Sequence, residues 1–423
     1  MAESMINAAS SRARTQWMYN ASENPFSKSK PAEWKPYSDV EMMIIEKAFQ
    51  DGQKHAVLDT YTIDLKHKVQ ILNNDSSKQR PVKRFICDKD DMPVRAERFT
   101  FTPINPKHPF GGLYGWVSPF LRATASDLNI TREHLPSKDK SVIPLIVEKA
   151  AAGIIEEGKK IGRQREGEEM AKMLLEKKDA TMEEVWKCCA FLYSLESFLY
   201  KKMNEIMRLI GDKDYEEDWR DRARTLGPFC LLLWDNPTTE KTVPRGTILY
   251  RGANLSDELI SLLKEDGEEE VKPVRSFQAF TSCSRNRTKA EPFGNVLFIM
   301  HVKHAFSVDL KPYSQYPDEE EELVSPGVCF TVDHVQFDED KKKYLVDLNL
   351  LQQYRRRSTD FLLYIKFCVL NFFLFHNKLT AYVATTRSRQ LLSSENHSRV
   401  TLTSVYNSEI DSIFQKIMIL SHL

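Results

Sequence analysis

Four consecutive glutamates, Glu319 to Glu322, stand inside the stretch YPDEEEELVSPG, downstream of Arg251 in LYRG and Ser282 in FTSCS. A carboxylate held in a cleft stabilises positive charge that develops on a substrate. A guanidinium grips a phosphate with paired hydrogen bonds, and a hydroxyl orients its neighbours. Singly, each residue has a plainer explanation. An arginine ending a strand is commonly a surface ion pair, a serine in a Ser/Thr run is commonly a strand-end hydroxyl, and an acidic run is commonly solvated. The order Arg, Ser, Glu on successive strand-like segments makes chemistry the stronger expectation. In an extended segment Glu319 and Glu321 share one face while Glu320 and Glu322 share the other, so two pairings are open.

The elements around these residues are readable from periodicity. Short strands and turns run from 245 to 350: TILYRG, SFQAFTSCS, NVLFIMHV, GVCFTVDHVQF and KKKYLVDLNL. The last two are joined by the hairpin loop DEDKK, and one helix, SDELISLLKED, is capped by Ser256. Upstream, a helix over 182–210 opens on a Thr181/Glu184 capping box and closes near Gly211. Helical spacing over 142–178 is weakened by Gly153, Gly158, Gly162 and Gly167. Within it, Gly153-Ile-Ile-Glu-Glu-Gly158-Lys159-Lys160 nearly spells a phosphate-binding loop. It lacks the Ser/Thr for Mg²⁺, carries two acids where phosphates would lie, and follows no strand, so it is set aside.

Residues 14–88 form a separate pattern: an aromatic strand, a helix with a Ser38/Glu41 capping box and Gly52 beyond its end, then HAVLDTYTIDL, KVQILNN and QRPVKRF as strands around the turn NNDSS. Residues 89–141 are rich in Pro, Asp, Lys and Gly and read as a lightly ordered linker. The expected organisation is therefore α+β, with divisions at 14–88, 89–141, 142–178, 179–352 and 353–423.

Lys plus Arg equals Asp plus Glu at 60 each, so no overall field steers the chain to nucleic acid or a membrane. Seven scattered cysteines without ligand spacing point to reduced thiols, no metal, and a cytoplasmic or nuclear location, and no secretory signal opens the chain. The apolar run FLLYIKFCVLNFFLF, with Lys366 and Asn371 inside it, falls short of the ~20 residues of a membrane span and reads better as a core or interface helix. The terminal Ser421-His422-Leu423 is a weak echo of a peroxisomal address.

The trio and its flanks (Tyr250-Arg251-Gly252, Phe280-Thr281-Ser282-Cys283-Ser284, and Tyr316-Pro317 before the acids with Pro326-Gly327 after them) resemble the arginine-specific mono-ADP-ribosyltransferases of the R-S-E class. LYSLESFLYKKMNEIMRLIG resembles that family's helical subdomain. The resemblance implies two antiparallel sheets with helices on one side and NAD bound in the cleft by Tyr250, Arg251, Gly252, Ser282 and Ser284. Counting back from Pro326-Gly327 makes Glu321 the catalytic carboxylate and Glu319 the acceptor-side one. Glu322, where the family usually has an aliphatic residue, keeps the Glu320/Glu322 pairing open. Cys283 stands where a Thr is more usual.

Residues 14–86 resemble a WWE domain, with Trp17, Trp34 and Glu46 as its structural namesakes. The resemblance implies a half-open sheet that reads poly-ADP-ribose through Tyr19, Tyr61, Gln70 and Arg80. The plainer explanation makes the aromatics core residues. The implied protein uses NAD and modifies acceptor proteins with exposed arginines, recruited through poly-ADP-ribose. A glycohydrolase that passes ADP-ribose to water and an inactive poly-ADP-ribose-binding scaffold are the alternatives.

Overall fold

Alternating apolar residues build an N-terminal sheet from six strands: β1 (Ala13–Asn20), β2 (Trp34–Pro36), β3 (His55–Val57), β4 (Tyr61–Asp64), β5 (Val69–Leu72) and β6 (Asp75–Asp88), in the order β2-β1-β6-β5-β4-β3 and antiparallel throughout. The computed structural model describes residues 13–351 except 28, 30, 89–93, 104–108, 113–116, 238–243 and 304. These residues all belong to one unit, Met1–Gln353. The apolar run from 361 and the C-terminal tripeptide lie outside the described residues, and no helix among those described is long and apolar enough to cross a membrane.

Helix α1 (Asp39–Gln50) forms as its capping box dictates: Ser38 Oγ accepts from the Glu41 amide, and the Glu41 carboxylate accepts from the Ser38 amide at 3.0 Å. It buries two faces. Met42, Ile45 and Ala48 pack with Trp17 and Ile63 of the N-terminal sheet, whereas Val40 joins the large helical core that follows. The N-terminal sheet and the rest of the chain thus share one helix.

The short helix α2 (Ala96–Phe99) lies against strands of the second sheet, and the helical core contains α3 (Pro119–Asp127), α4 (Ile143–Lys160), α5 (Gln164–Leu175), α6 (Met182–Ser194), α7 (Phe198–Met207) and α8 (Glu216–Trp234). Three features depart from the sequence expectations. The stretch expected to be a linker supplies core residues: Phe120 and Leu121 of α3 are fully buried, and Ser118 caps the helix through the Phe120 amide. The single helix over 182–210 is two helices, because Asp39 of α1 exchanges backbone and carboxylate hydrogen bonds with Glu196 and pulls the chain out of helical geometry there. The glycine-bearing segment forms two helices, α4 and α5, parted at Gly162 with φ 70°, and a Cβ on Gly153 would lie 1.8 Å from the Thr225 carbonyl oxygen, so glycine lets α4 touch α8.

The second sheet comprises β7 (Thr100–Phe101), β8 (Ile248–Ala253), β9 (Arg275–Ser276), β10 (Thr281–Ser284), β11 (Val296–Val302), β12 (Ser307–Asp309), β13 (Glu321–Val324), β14 (Cys329–Asp338) and β15 (Lys343–Leu350). Its order is β12-β13-β10-β8-β11-β15-β14-β9, with β7 added alongside β8. A single residue pair, Ser284 with Tyr250, joins the β12-β13-β10 half to the rest. The pairing is mixed, with β11–β15 and β7–β8 parallel, where antiparallel sheets were expected. Helices α9 (Asp257–Glu268) and α10 (Arg287–Ala290) complete this part. Ser256 occupies the N-cap of α9, but its side chain makes no capping hydrogen bond.

Candidate functional site

Strands β8, β10 and β13 bring the predicted residues together. Antiparallel pairing sets Ser284 against both Glu321 and Tyr250, and Ser282 against Leu323. Arg251 is buried in β8 and donates from Nη1 to the carbonyls of Ser282 and Arg98 and from Nη2 to the carbonyl of Thr100. Burial pulls its guanidinium below the ordinary range, and its Nε has no hydrogen-bond partner among the described residues. Ser284 Oγ donates to the Glu319 carbonyl at 2.8 Å and accepts from the Asn286 amide, tying β10 to the acidic run. Tyr250 turns instead to a small apolar cluster of Ala290, Leu297 and Leu345. Gly252 lies so close to Phe293 that a Cβ would meet its carbonyl at 2.5 Å.

The four glutamates separate by backbone conformation as well as by strand alternation. Glu319 closes a 3₁₀ turn (Pro317–Glu319), Glu320 takes left-handed geometry at φ 47°, and β13 starts at Glu321. Glu319 and Glu321 converge: Arg95 Nη2 is 2.6 Å from Glu319 Oε2 and 3.9 Å from Glu321 Oε2. Glu320 is half-buried beside Asn286. Glu322 is fully buried away from that pair, and its Oε2 accepts from Arg285 Nε at 2.9 Å. Burial lifts the Glu322 carboxyl to about 7 against the opposing pull of Arg285. Cys283 is fully buried, and burial raises its thiol to about 12, so it acts as a small apolar residue.

Residues 94–103 fill the cleft between these groups. The Arg95 amide and Nε both donate to Glu319 Oε1 at 3.0 Å. Arg98 Nε lies 2.9 Å from both oxygens of Glu321, with its guanidinium between the rings of Tyr193 and Tyr200 at 4.7 and 4.5 Å. Thr100 pairs with Gly252. The cavity left beside Arg251, lined by Phe101, Phe110, Arg208 and Gln278 among others, measures about 10 Å³, room for one water.

Arg208, on the turn after α7, was not anticipated. Burial, reinforced by the neighbouring Arg251, pushes its guanidinium down to about 10. Among the described residues neither Arg208 nor Arg251 has an ion-pair partner, so the two together suit a doubly charged phosphate ligand. The available sequence signal was an arginine embedded in the apolar run IMRLIG.

In the N-terminal sheet Gln70 is buried, with its Oε1 accepting from Tyr37 Oη at 2.6 Å. Arg80 lies opposite Gln70 and donates to the carbonyls of Asn20 and Ser22 at 2.9 and 2.7 Å. The Tyr19 ring lies 5.3 Å from that of Tyr37, tilted by 56°, and Tyr61 packs against the same core. Tyr37, unforeseen from the sequence, is the hub of this group. Trp17 donates to Glu46, which also takes two hydrogen bonds from Arg84, so both namesakes are framework. Trp34 carries Lys83 over its ring at 4.3 Å. Two residues beyond Tyr37, Asp39 accepts from Tyr316 Oη at 2.9 Å, and Tyr316 in turn lies 3.8 Å beneath the Arg95 guanidinium.

Residues 187–356 match the family described as NAD:arginine ADP-ribosyltransferase, and residues 15–84 match the WWE domain. Solved structures similar to this chain include the ADP-ribosyltransferase HopU1 of Pseudomonas syringae pv. Tomato (19% identity, 49% of this chain and 96% of that one, TM-score 0.35). The Vis toxin, an ADP-ribosyltransferase from Vibrio Splendidus, is 16% identical over 40% of this chain and 73% of its own, with TM-score 0.30. The type III effector XopAI from Xanthomonas axonopodis pv. citri is 11% identical over 57% and 96%, with TM-score 0.36. No curated protein matches. The chain therefore carries an ADP-ribosyltransferase domain, whose family acts on NAD, behind a WWE domain.

Proposed function

We propose that this chain transfers ADP-ribose from NAD to arginine side chains of proteins, releasing nicotinamide, and that its WWE domain, residues 14–88, brings it to poly-ADP-ribosylated targets through Tyr19, Tyr61, Gln70 and Arg80. The observation that carries the arginine acceptor is Arg95: a guanidinium held by Glu319 with one nitrogen reaching toward Glu321. In the reaction, the bond from the ribose anomeric carbon to nicotinamide breaks with its electron pair leaving on the ring. Glu321 stabilises the oxocarbenium charge that develops, more in the transition state than in the ground state. An acceptor guanidinium nitrogen, oriented by Glu319, forms the new bond from the opposite face and gives its proton to that carboxylate. Arg251, with Arg208, holds the pyrophosphate, and Ser282 and Ser284 position the strand that carries the glutamates.

The experiment is transfer of labelled ADP-ribose from NAD to agmatine by the purified chain, with Glu321→Gln as control. Adduct and nicotinamide in equal amounts are expected, and no difference between the two proteins would remove the transferase assignment. Free ADP-ribose that agmatine does not divert would instead indicate a glycohydrolase. One observation favours a scaffold without transfer: the cleft beside Arg251 is filled.

A further inference from the structure

Three groups that the proposed chemistry needs are engaged at once by one segment of the same chain. Arg95 neutralises Glu319, Arg98 neutralises Glu321, and the carbonyls of Arg98 and Thr100 take the hydrogen bonds of Arg251. Phe101 completes the closure by packing against Phe110 at 5.5 Å and Phe298 at 6.3 Å. A dinucleotide site needs several hundred Å³, whereas the cavity beside Arg251 measures about 10 Å³. NAD and residues 94–103 therefore exclude each other.

We propose that residues 94–103 are an intramolecular pseudosubstrate that holds the transferase cleft shut, with Arg95 in the acceptor position and Arg98 in place of the positively charged nicotinamide ribose. The closed form is imperfectly satisfied, which makes it displaceable: among the described residues, Arg98 Nη1 and Nη2 and Arg251 Nε are buried without hydrogen-bond partners. The segment is also wired to the WWE domain. The Tyr316 ring beneath Arg95 is held by Asp39 at the start of α1, and Arg14 of β1 bonds Asp39 and lies 4.6 Å over the same ring. A ligand that shifts β1 or α1 acts on the anchor of Arg95 through one tyrosine.

This proposal rests on reading the cleft as the NAD site, and the test separates the two. NAD affinity of the full chain is compared with that of Arg95→Gln/Arg98→Gln by titration calorimetry. Hydrogen exchange at the amides of 98–101 is followed with and without NAD. An open state populated at about 0.1–10% predicts NAD binding about 10- to 1,000-fold tighter in the double variant. It also predicts faster exchange at 98–101 when NAD binds the wild-type chain. A synthetic peptide of residues 94–103 should compete with NAD on the variant. Equal affinities, or NAD bound to the wild-type chain with 98–101 as protected as before, overturn the pseudosubstrate. If the double variant does not fold, Arg98→Lys replaces it, keeping the charge while losing the Nε contact with both oxygens of Glu321, and tightening is again expected. Folded proteins that never bind NAD overturn the NAD-site reading instead.

Discussion

Glu322 is the member of the acidic run with the clearest test, since the structure assigns it a cost and no chemistry. Its carboxyl, normally at 4.5, is lifted to about 7 by burial, with Arg285 supplying only partial relief. Below the ordinary value both the folded and unfolded chains hold the proton, and the group is neutral toward stability. Between 4.5 and about 7 the unfolded chain releases it while the folded chain retains it, so stability falls as pH rises. At about 1.4 kcal/mol for each tenfold change in ionisation, the full penalty is about 3 kcal/mol and is in place at about pH 8. Replacing Glu322 with Gln removes it. The buried Glu166, also lifted to about 7 by burial, adds its own slope to both proteins and cancels in their difference. Urea unfolding followed by tryptophan fluorescence should find Glu322→Gln more stable by about 3 kcal/mol at about pH 8, shrinking to under about 1 kcal/mol at about pH 5. A difference independent of pH, or a variant less stable than wild type at about pH 8, refutes the reasoning by showing that the Arg285 pair outweighs desolvation. Transfer to agmatine should survive in this variant and fail in Glu321→Gln.

Gly153→Ala should part α4 from α8, costing about 2–3 kcal/mol, and an unchanged melting temperature would contradict the contact with Thr225. Arg208→Ala should raise KM for NAD about 10- to 100-fold with a smaller change in kcat, as expected for loss of one charge-assisted contact to phosphate. Arg80→Ala should abolish calorimetric binding of iso-ADP-ribose while the thermal transition of the N-terminal sheet stays intact, because Trp17, Glu46 and Arg84 hold that framework without it.

What was legible in the sequence was local. The capping boxes at Ser38/Glu41 and Thr181/Glu184 both form, because cap and partner are separated by one helical turn and need nothing from elsewhere. The break between α6 and α7 was not legible, because it is imposed by Asp39, 157 residues away. Nor was β7, a two-residue strand whose reason to exist is β8 and the phenylalanines of the distant sheet. Among the site residues, Arg251, Ser282 and Ser284 could be placed by motif. Arg95, Arg98, Arg208 and Tyr37 carry no motif, and only their tertiary partners mark them.

The acidic run shows why the distinction matters. Period-two alternation foresaw Glu319 and Glu321 together, yet they meet through a left-handed residue between them, with extended geometry starting only at Glu321. A run of four acids is stable in a protein interior only if cations accompany it, since each unpaired buried carboxylate costs several kcal/mol. Arg285 serves Glu322 permanently, from the strand end next door. The cations serving Glu319 and Glu321 come from a segment some 220 residues earlier, and nothing in the covalent neighbourhood of the glutamates replaces them. A cleft whose two carboxylates draw their counter-ions from so distant a segment suits ligands that bring positive charge. The proposed reaction brings two, the acceptor guanidinium and the nicotinamide ribose, and in the free chain Arg95 and Arg98 stand in for both.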